Sequence, residues 1–208
     1  MKLLVTIPML LLVFSCGTHQ NKNEMSNYKK NKNENPETTL FPRASQFVTS
    51  PLRNRIILEL NATVDQVWAL VGKLERMPEY SSGLRKVDAE YNFENECTRF
   101  TCYFYPMEEG GPETTHSEPV TWYKPNVGLA SVADEPNDLG LLQSLGLLTL
   151  QNHGNKTILK WDVHFNTESK EMTSIHIEGY KKALNEDIAQ NLIKIFGGKV
   201  LENYAQKL

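Results

Sequence analysis

The chain is 208 residues long, carries a formal net charge of −3 with a pI near 6.0, and is 40% hydrophobic. The slightly acidic balance excludes the basic stripe that nucleic-acid binding needs, and no block of like charge offers electrostatic docking to a membrane surface. The length suits one domain plus a tail, and such a domain buries about two-thirds of its unfolded surface, so it needs neither disulfide nor metal to hold a core.

Lys2 opens a positive segment, and Leu3 to Phe14 is aliphatic apart from Thr6 and Pro8. The run is too short for a hydrocarbon core that needs roughly 20 helical residues. It fits the apolar region of a secretory signal, about 7–15 residues. Val13-Phe14-Ser15-Cys16 resembles a bacterial lipobox. The resemblance implies a signal peptide over residues 1–15, cleavage before Cys16, and a diacylglyceryl group on its thiol. Such a protein hangs on the membrane through lipidated Cys16 without spanning it. The alternative is an ordinary cleaved signal peptide with Cys16 incidental. Gly17 is not an acidic retention signal. The expected address is therefore the bacterial cell envelope, at the outer membrane facing the periplasm.

Residues 16–52 read as a tether. Asn21-Lys22-Asn23-Glu24 and Asn31-Lys32-Asn33-Glu34-Asn35-Pro36 are nearly free of large apolar residues. They cannot bury enough surface to offset the entropy of ordering. A flexible tether of ~30 residues reaches roughly 30 Å.

The folded domain is expected over residues 53–208. Arg55 to Leu60 reads as a strand. Thr63-Val64-Asp65-Gln66 matches a capping box, and Val64, Val67, Trp68 and Val71 then recur at helical spacing, ending at Gly72. Pro78 opens a second short helical or turn segment. From Leu84 to Phe165 the period is two: Leu84–Tyr91, Cys97–Tyr105, Pro112–Tyr123, Val127–Val132, Leu141–Gln151 and Thr157–Phe165 read as strands. Leu159, Trp161, Val163 and Phe165 alternate against Lys160, Asp162 and His164, the pattern of an antiparallel sheet with one covered face. Ile177, Tyr180, Leu184, Ile188, Leu192 and Ile195 then step by three and four as a long helix. Gly197-Gly198 breaks, kinks or ends it, and Val200, Leu201 and Tyr204 continue an apolar stripe beyond. The expected fold is α+β. A seven-stranded curved antiparallel sheet, two short helices and a long C-terminal helix enclose a cavity between them.

Cys97 and Cys102 sit five apart in one strand, which places them on opposite faces and roughly 16 Å apart. They are expected to be free thiols, because a disulfide cannot reach that far.

Three stretches carry a family resemblance. They are Ala62-Thr63-Val64-Asp65-Gln66-Val67-Trp68-Ala69-Leu70-Val71-Gly72, Glu118-Pro119-Val120-Thr121-Trp122-Tyr123-Lys124-Pro125, and Thr157-Ile158-Leu159-Lys160-Trp161-Asp162-Val163-His164-Phe165. In this order, with a terminal helix, the chain resembles the SRPBCC superfamily and its polyketide cyclase/dehydrase-like group. The resemblance implies the helix-grip fold shared with START lipid-transfer domains and the birch-pollen allergens. The glycine pair and the polar stretch from Asn166 to Gly179 depart from that pattern.

Catalytic signatures are sparse. The five histidines show no pairing at metal-ligand spacing, so no metal or other cofactor is expected. No nucleophile elbow or phosphate-binding glycine loop appears. His116, Glu118, Val120 and Trp122 share one strand face. If that face points inward, His116 and Glu118 become an acid/base pair. The alternative leaves Glu118 solvated at a strand end or bonded to Arg99. Trp68, Phe100, Phe104, Trp122, Trp161, Phe165, Leu184 and Ile188 are the candidate ligand-binding wall, though aromatics at such positions also simply fill cores. The favoured function is a tethered, non-catalytic protein that binds a hydrophobic or amphipathic, lipid-like small molecule. The second is a cyclase or hydrolase-like enzyme using Glu118 and His116.

Overall fold

The computed structural model describes residues 41–106, 111, 113–133 and 139–208. The signal segment, Cys16, most of the tether and much of the Glu108-Glu109-Gly110-Gly111 connection lie outside the described residues.

Strand β1 (Leu52–Leu60) sends Asn54, Ile56, Leu58 and Leu60 inward by strict alternation. Helix α1 (Val64–Val71) begins at the expected capping box: the Thr63 hydroxyl accepts from the Gln66 amide, and the Gln66 side chain accepts from the Thr63 amide at 3.0 Å. A 3-10 turn at Leu74–Glu79 follows. Then come β2 (Leu84–Tyr91), β3 (Cys97–Phe104), β4 (Thr115–Lys124), β5 (Gly128–Ala133), β6 (Leu141–His153) and β7 (Lys156–Thr167), each antiparallel to the next. Strand β7 closes onto β1.

The C-terminus corrects the seven-strand expectation. Gly197 takes φ 70° and Gly198 φ 121°, conformations that side-chain-bearing residues rarely adopt. A Cβ on Gly198 would stand 2.0 Å from the Glu59 carbonyl oxygen. The glycine pair therefore ends the helix, reverses the chain and lands an eighth strand, β8 (Gly198–Ala205), on β1. Val200, Leu201 and Tyr204 belong to this edge strand and not to a continued helix. The sheet order is β2-β3-β4-β5-β6-β7-β1-β8.

The long helix also starts earlier than its apolar stripe indicates. Ser169 caps it by accepting from the Met172 amide at 3.1 Å. Helix α2 (Lys170–Lys181) passes through a π-helical turn, Lys182–Ile188, into α3 (Ala189–Phe196). Ile177, Leu184, Ile188, Ala189 and Leu192 are buried against the inner face of the sheet.

Of the β-bulges in the sheet, two reset the parity of residues singled out by sequence. At Thr98 two residues of β3 oppose one of β2, so Cys97 and Cys102 both reach the main core instead of opposite faces. Both thiols are free and buried, and burial pushes them up to about 11 and about 12. At Thr121 the β4–β5 register shifts in the same way. Val120 packs on the main inner core, whereas Trp122 turns to the outer face.

On that outer face, residues before Arg53 also pack against the sheet. Val48, with Ala44 and Phe47, covers Ala130, Val132, Leu145 and Leu147. The Ser50 hydroxyl donates to Gln143 at 2.6 Å, and His164 Nδ1 donates to the Ser50 carbonyl at 3.0 Å. The segment placed in the tether by composition thus ends as a strap across the back of β5 and β6.

Candidate functional site: a polar patch inside the grip

The inner face of β4 carries the candidate chemistry. Alternation brings His116 and Glu118 to the same side, two residues apart. His116 Nε2 lies 2.7 Å from Glu118 Oε1, and the two residues are 8% and 7% exposed. The Ser144 hydroxyl of β6 approaches the same carboxylate oxygen at 3.4 Å. Glu118 is therefore neither solvated nor paired with Arg99. Its burial follows from strand parity, and its partner comes from its own strand.

Other polar groups gather around this pair. Cys102 is the cross-strand neighbour of His116. Burial raises the Cys102 thiol and the Glu118 carboxylate adds to the shift. Burial likewise raises the Tyr180 hydroxyl on α2, reinforced by Glu118 and Cys102. The Tyr80 hydroxyl, after the 3-10 turn, is raised by burial with Cys102 contributing. Helix and turn are tied together where Asn191 donates to the Tyr80 carbonyl at 3.3 Å.

His116 Nδ1 and the Tyr80 hydroxyl are buried without a protein partner, as are both amide atoms of Asn185 on the π-helical turn. A polar atom withdrawn from water without a partner costs about 1–3 kcal/mol. Buried polar atoms are nearly always satisfied, so an unpaired group marks a place where water or a ligand completes the site.

The inner face also carries small side chains. Ser131 of β5 and Gly146 of β6 are direct cross-strand neighbours on the inner face, and Ser144 lies two residues before Gly146. A Cβ on Gly146 would meet the Ser131 hydroxyl at 3.2 Å and Trp161 Nε1 at 3.9 Å. Trp161 stays half-exposed although Leu159 and Val163 beside it are 0% and 4% exposed. Val120, Phe104 and Tyr180 are half-buried too.

The candidate wall divides accordingly. Trp68, Phe100, Phe104, Trp161, Phe165, Leu184 and Ile188 all belong to the inner core. Trp122 does not, because the Thr121 bulge turns it outward. Phe165 is fully buried beneath the helix, with its ring 5.5 Å from Tyr180 and 5.8 Å from His176. Trp68 packs on Tyr123 at 5.2 Å, and the Tyr123 hydroxyl donates to the Gly72 carbonyl at 2.9 Å.

Tyr80, Ser131, Ser144, Gly146 and Asn185 were not singled out by sequence. A glycine inside a leucine-rich strand, Leu145-Gly146-Leu147, is the one signal that was available. Two surface grooves lie elsewhere. One, of about 590 Å³, is lined by Phe41, Val64, Asn126 and Leu150 among others; the other, of about 410 Å³, runs between α2 and the chain end at Leu208. Neither lies under the long helix.

The sheet topology and the helix laid across it have counterparts among solved structures. A START superfamily protein from Mycobacterium smegmatis is 13% identical with a TM-score of 0.50, over 68% of this chain and 99% of that one. The Zhui aromatase/cyclase from a Streptomyces species is 14% identical with a TM-score of 0.51, over 70% and 96%. The di-domain aromatase/cyclase StfQ of the steffimycin pathway is 14% identical with a TM-score of 0.51, over 69% of this chain and 51% of its own. The chain has the START-type helix-grip fold. At these identities the likeness is one of fold alone. No family model matches the chain, and no curated protein sequence matches it.

Proposed function

We propose that this chain is an exported, lipid-anchored protein that binds a hydrophobic or amphipathic small molecule between sheet and long helix. One observation carries the binding role. His116 Nδ1 and the Tyr80 hydroxyl are buried without a protein partner among the apolar side chains of the inner core. Apolar walls with a few fixed polar groups are the general make-up of small-molecule sites. The anchored, exported half of the reading rests on Lys2 to Cys16, where the apolar run meets the lipobox-like residues.

Native mass spectrometry of the full-length Cys16→Ser protein tests the binding role. A co-purified apolar molecule that organic extraction removes is the expected result. A homogeneous ligand-free mass, together with failure to take up any apolar probe, overturns it. Fractionation tests the anchor: wild-type protein should sediment with membranes and Cys16→Ser should not.

The buried His116–Glu118 pair supports a second reading, an enzyme of cyclase or hydrolase type. Imidazole and carboxylate at 2.7 Å can hold and relay a proton, and aromatase/cyclases are among the structural neighbours. In that case Glu118→Gln should abolish turnover and leave the fold intact.

A further inference from the structure

We propose that the groove at the start of α1 is a second binding site and that it takes a neutral oligosaccharide. The site lies on the outside of the domain. It stands independently of the interior site and holds a different class of ligand.

The groove measures about 590 Å³, within the range of about 300–1,000 Å³ typical of small-molecule sites. Four separate parts of the chain build it. Phe41 comes from the segment ahead of the strap, Val64 and Asp65 from the first turn of α1, Asn126 from the β4–β5 turn, and Gln151 and Asn152 from the end of β6. The frame is tied together by backbone. The Val127 amide donates to the Lys124 carbonyl at 3.0 Å, and the Leu150 amide donates to the Val127 carbonyl at 2.7 Å. The Asn126 turn is thereby fixed to β6, and a site fixed before binding loses less entropy when the ligand arrives.

The base is apolar. Leu150 belongs to the main core and Val64 packs against it. Phe41 is half-buried yet belongs to neither core cluster, so its ring is available to the groove. The rim is polar. Asp65, Asn126, Gln151 and Asn152 are exposed, and their side chains make no hydrogen bond or ion pair among the described residues. Each amide side chain offers two donors and an acceptor, and the Asp65 carboxyl accepts.

Other ligand classes do not fit this make-up. No lysine, arginine or histidine lines the groove. The N-terminus of α1 is occupied by its own capping box, in which the Thr63 amide donates to Gln66 and the Gln66 amide donates to Thr63. Neither a side-chain cation nor a free helix end is left to hold a phosphate or carboxylate. One carboxyl is too few for a hard divalent cation, which wants several oxygen ligands. Strand β6 is paired on both flanks, with β5 and β7, so no strand edge receives an extended peptide. A pyranose fits. Its C–H face packs on an apolar ring, and its hydroxyls, each donor and acceptor, match the amides around it.

Nuclear magnetic resonance on the isotope-labelled full-length Cys16→Ser protein tests this with three neutral probes, chitotriose, maltotriose and cellotriose. Each is added to about 10 mM, enough to fill a site with a Kd on the order of 1 mM. At least one is expected to give saturable shifts in the backbone amides of Asp65, Asn126 and Gln151, with those of His116 and Ser144 unmoved. Asn126 has φ 62°, a conformation glycine adopts freely. Asn126→Gly therefore keeps the turn and removes the amide, and should weaken binding about tenfold, the worth of roughly one hydrogen bond. Phe41→Leu keeps an apolar base without the ring face and should weaken it about fivefold. Overturning results are no saturable shift at the groove with any of the three sugars, shifts confined to the inner face, or an affinity unmoved by both variants. Hexanediol shifting the same amides as strongly as the sugars would mark an apolar crevice and overturn the ligand class. The wild-type titration decides the matter by itself should either variant fail to fold, and each of these failures leaves the interior binding role standing.

Discussion

His116 Nε2 and Glu118 Oε1 lie 2.7 Å apart on one strand, both under a tenth exposed, in the middle of an apolar face. A pair so placed is costly to break from one side only. Glu118→Ala strips Nε2 of its acceptor and should cost about 2 kcal/mol. Glu118→Gln keeps an acceptor oxygen and the side-chain shape, so about 1 kcal/mol or less is expected. Replacing both groups, His116→Phe with Glu118→Leu, should recover part of the single-mutant loss, because an apolar pair leaves nothing unsatisfied. Urea unfolding of the three variants measures this. A double variant no more stable than Glu118→Ala would show that removing both groups recovers nothing.

Gly72 is required by a neighbour. A Cβ there would stand 2.3 Å from Trp68 Cε2, and the ring cannot retreat because Tyr123 packs on it at 5.2 Å. Gly72→Ala should destabilise by about 2 kcal/mol, within the range for overpacked cores. The melting temperature should fall accordingly. A neutral or stabilising result would mean that Trp68 has freedom the packing denies it.

On the outer face Arg55 of β1 lies directly opposite Asp162 of β7 and grips it with two bonds, of 2.6 and 2.9 Å. Asp162 is 3% exposed. Loss of the carboxylate leaves a guanidinium that is only partly solvated. Asp162→Ala should cost about 2–3 kcal/mol, at the lower end for buried pairs because the Arg55 side chain keeps a quarter of its exposure. A double-mutant cycle with Arg55→Met isolates the coupling, and a coupling near zero would reduce the bridge to decoration.

Stability should depend on pH through two imidazoles. Burial holds His164 below the ordinary imidazole pKa, and it does the same to His176. The unfolded chain takes up protons at these sites near pH 6.5, before the folded chain does. The unfolded state then binds more protons, so stability is fully present above that pH and declines as the pH falls toward the folded values. The urea midpoint should be lower near pH 5.5 than near 7.5, and His164→Gln should flatten the slope. A midpoint that rises on acidification in this window would contradict the assignment.

The helix-grip arrangement was largely readable from local pattern. Alternation along Leu159, Trp161, Val163 and Phe165 gave β7 its buried face, and the Thr63–Gln66 box marked the start of α1 where the helix begins. The parity of His116 and Glu118 placed them together for the same reason: side chains two apart on a strand share a side. Parity failed where a bulge intervened. Trp122 keeps the spacing of an inner residue yet faces out, and Cys97 keeps the spacing of an outer residue yet faces in.

Composition and short-range periodicity thus determined the kinds of element up to the long helix, their order, and the free thiols of Cys97 and Cys102. Tertiary structure alone decided the rest: the reversal that lays β8 on β1, the strap of Val48 across the back of the sheet, and the π turn that swings Asn185 inward. The physical reason is range. Backbone propensity and side-chain alternation act over a few neighbouring residues, while register, bulges and unpaired buried atoms are settled by strands that meet only after the chain has closed on itself.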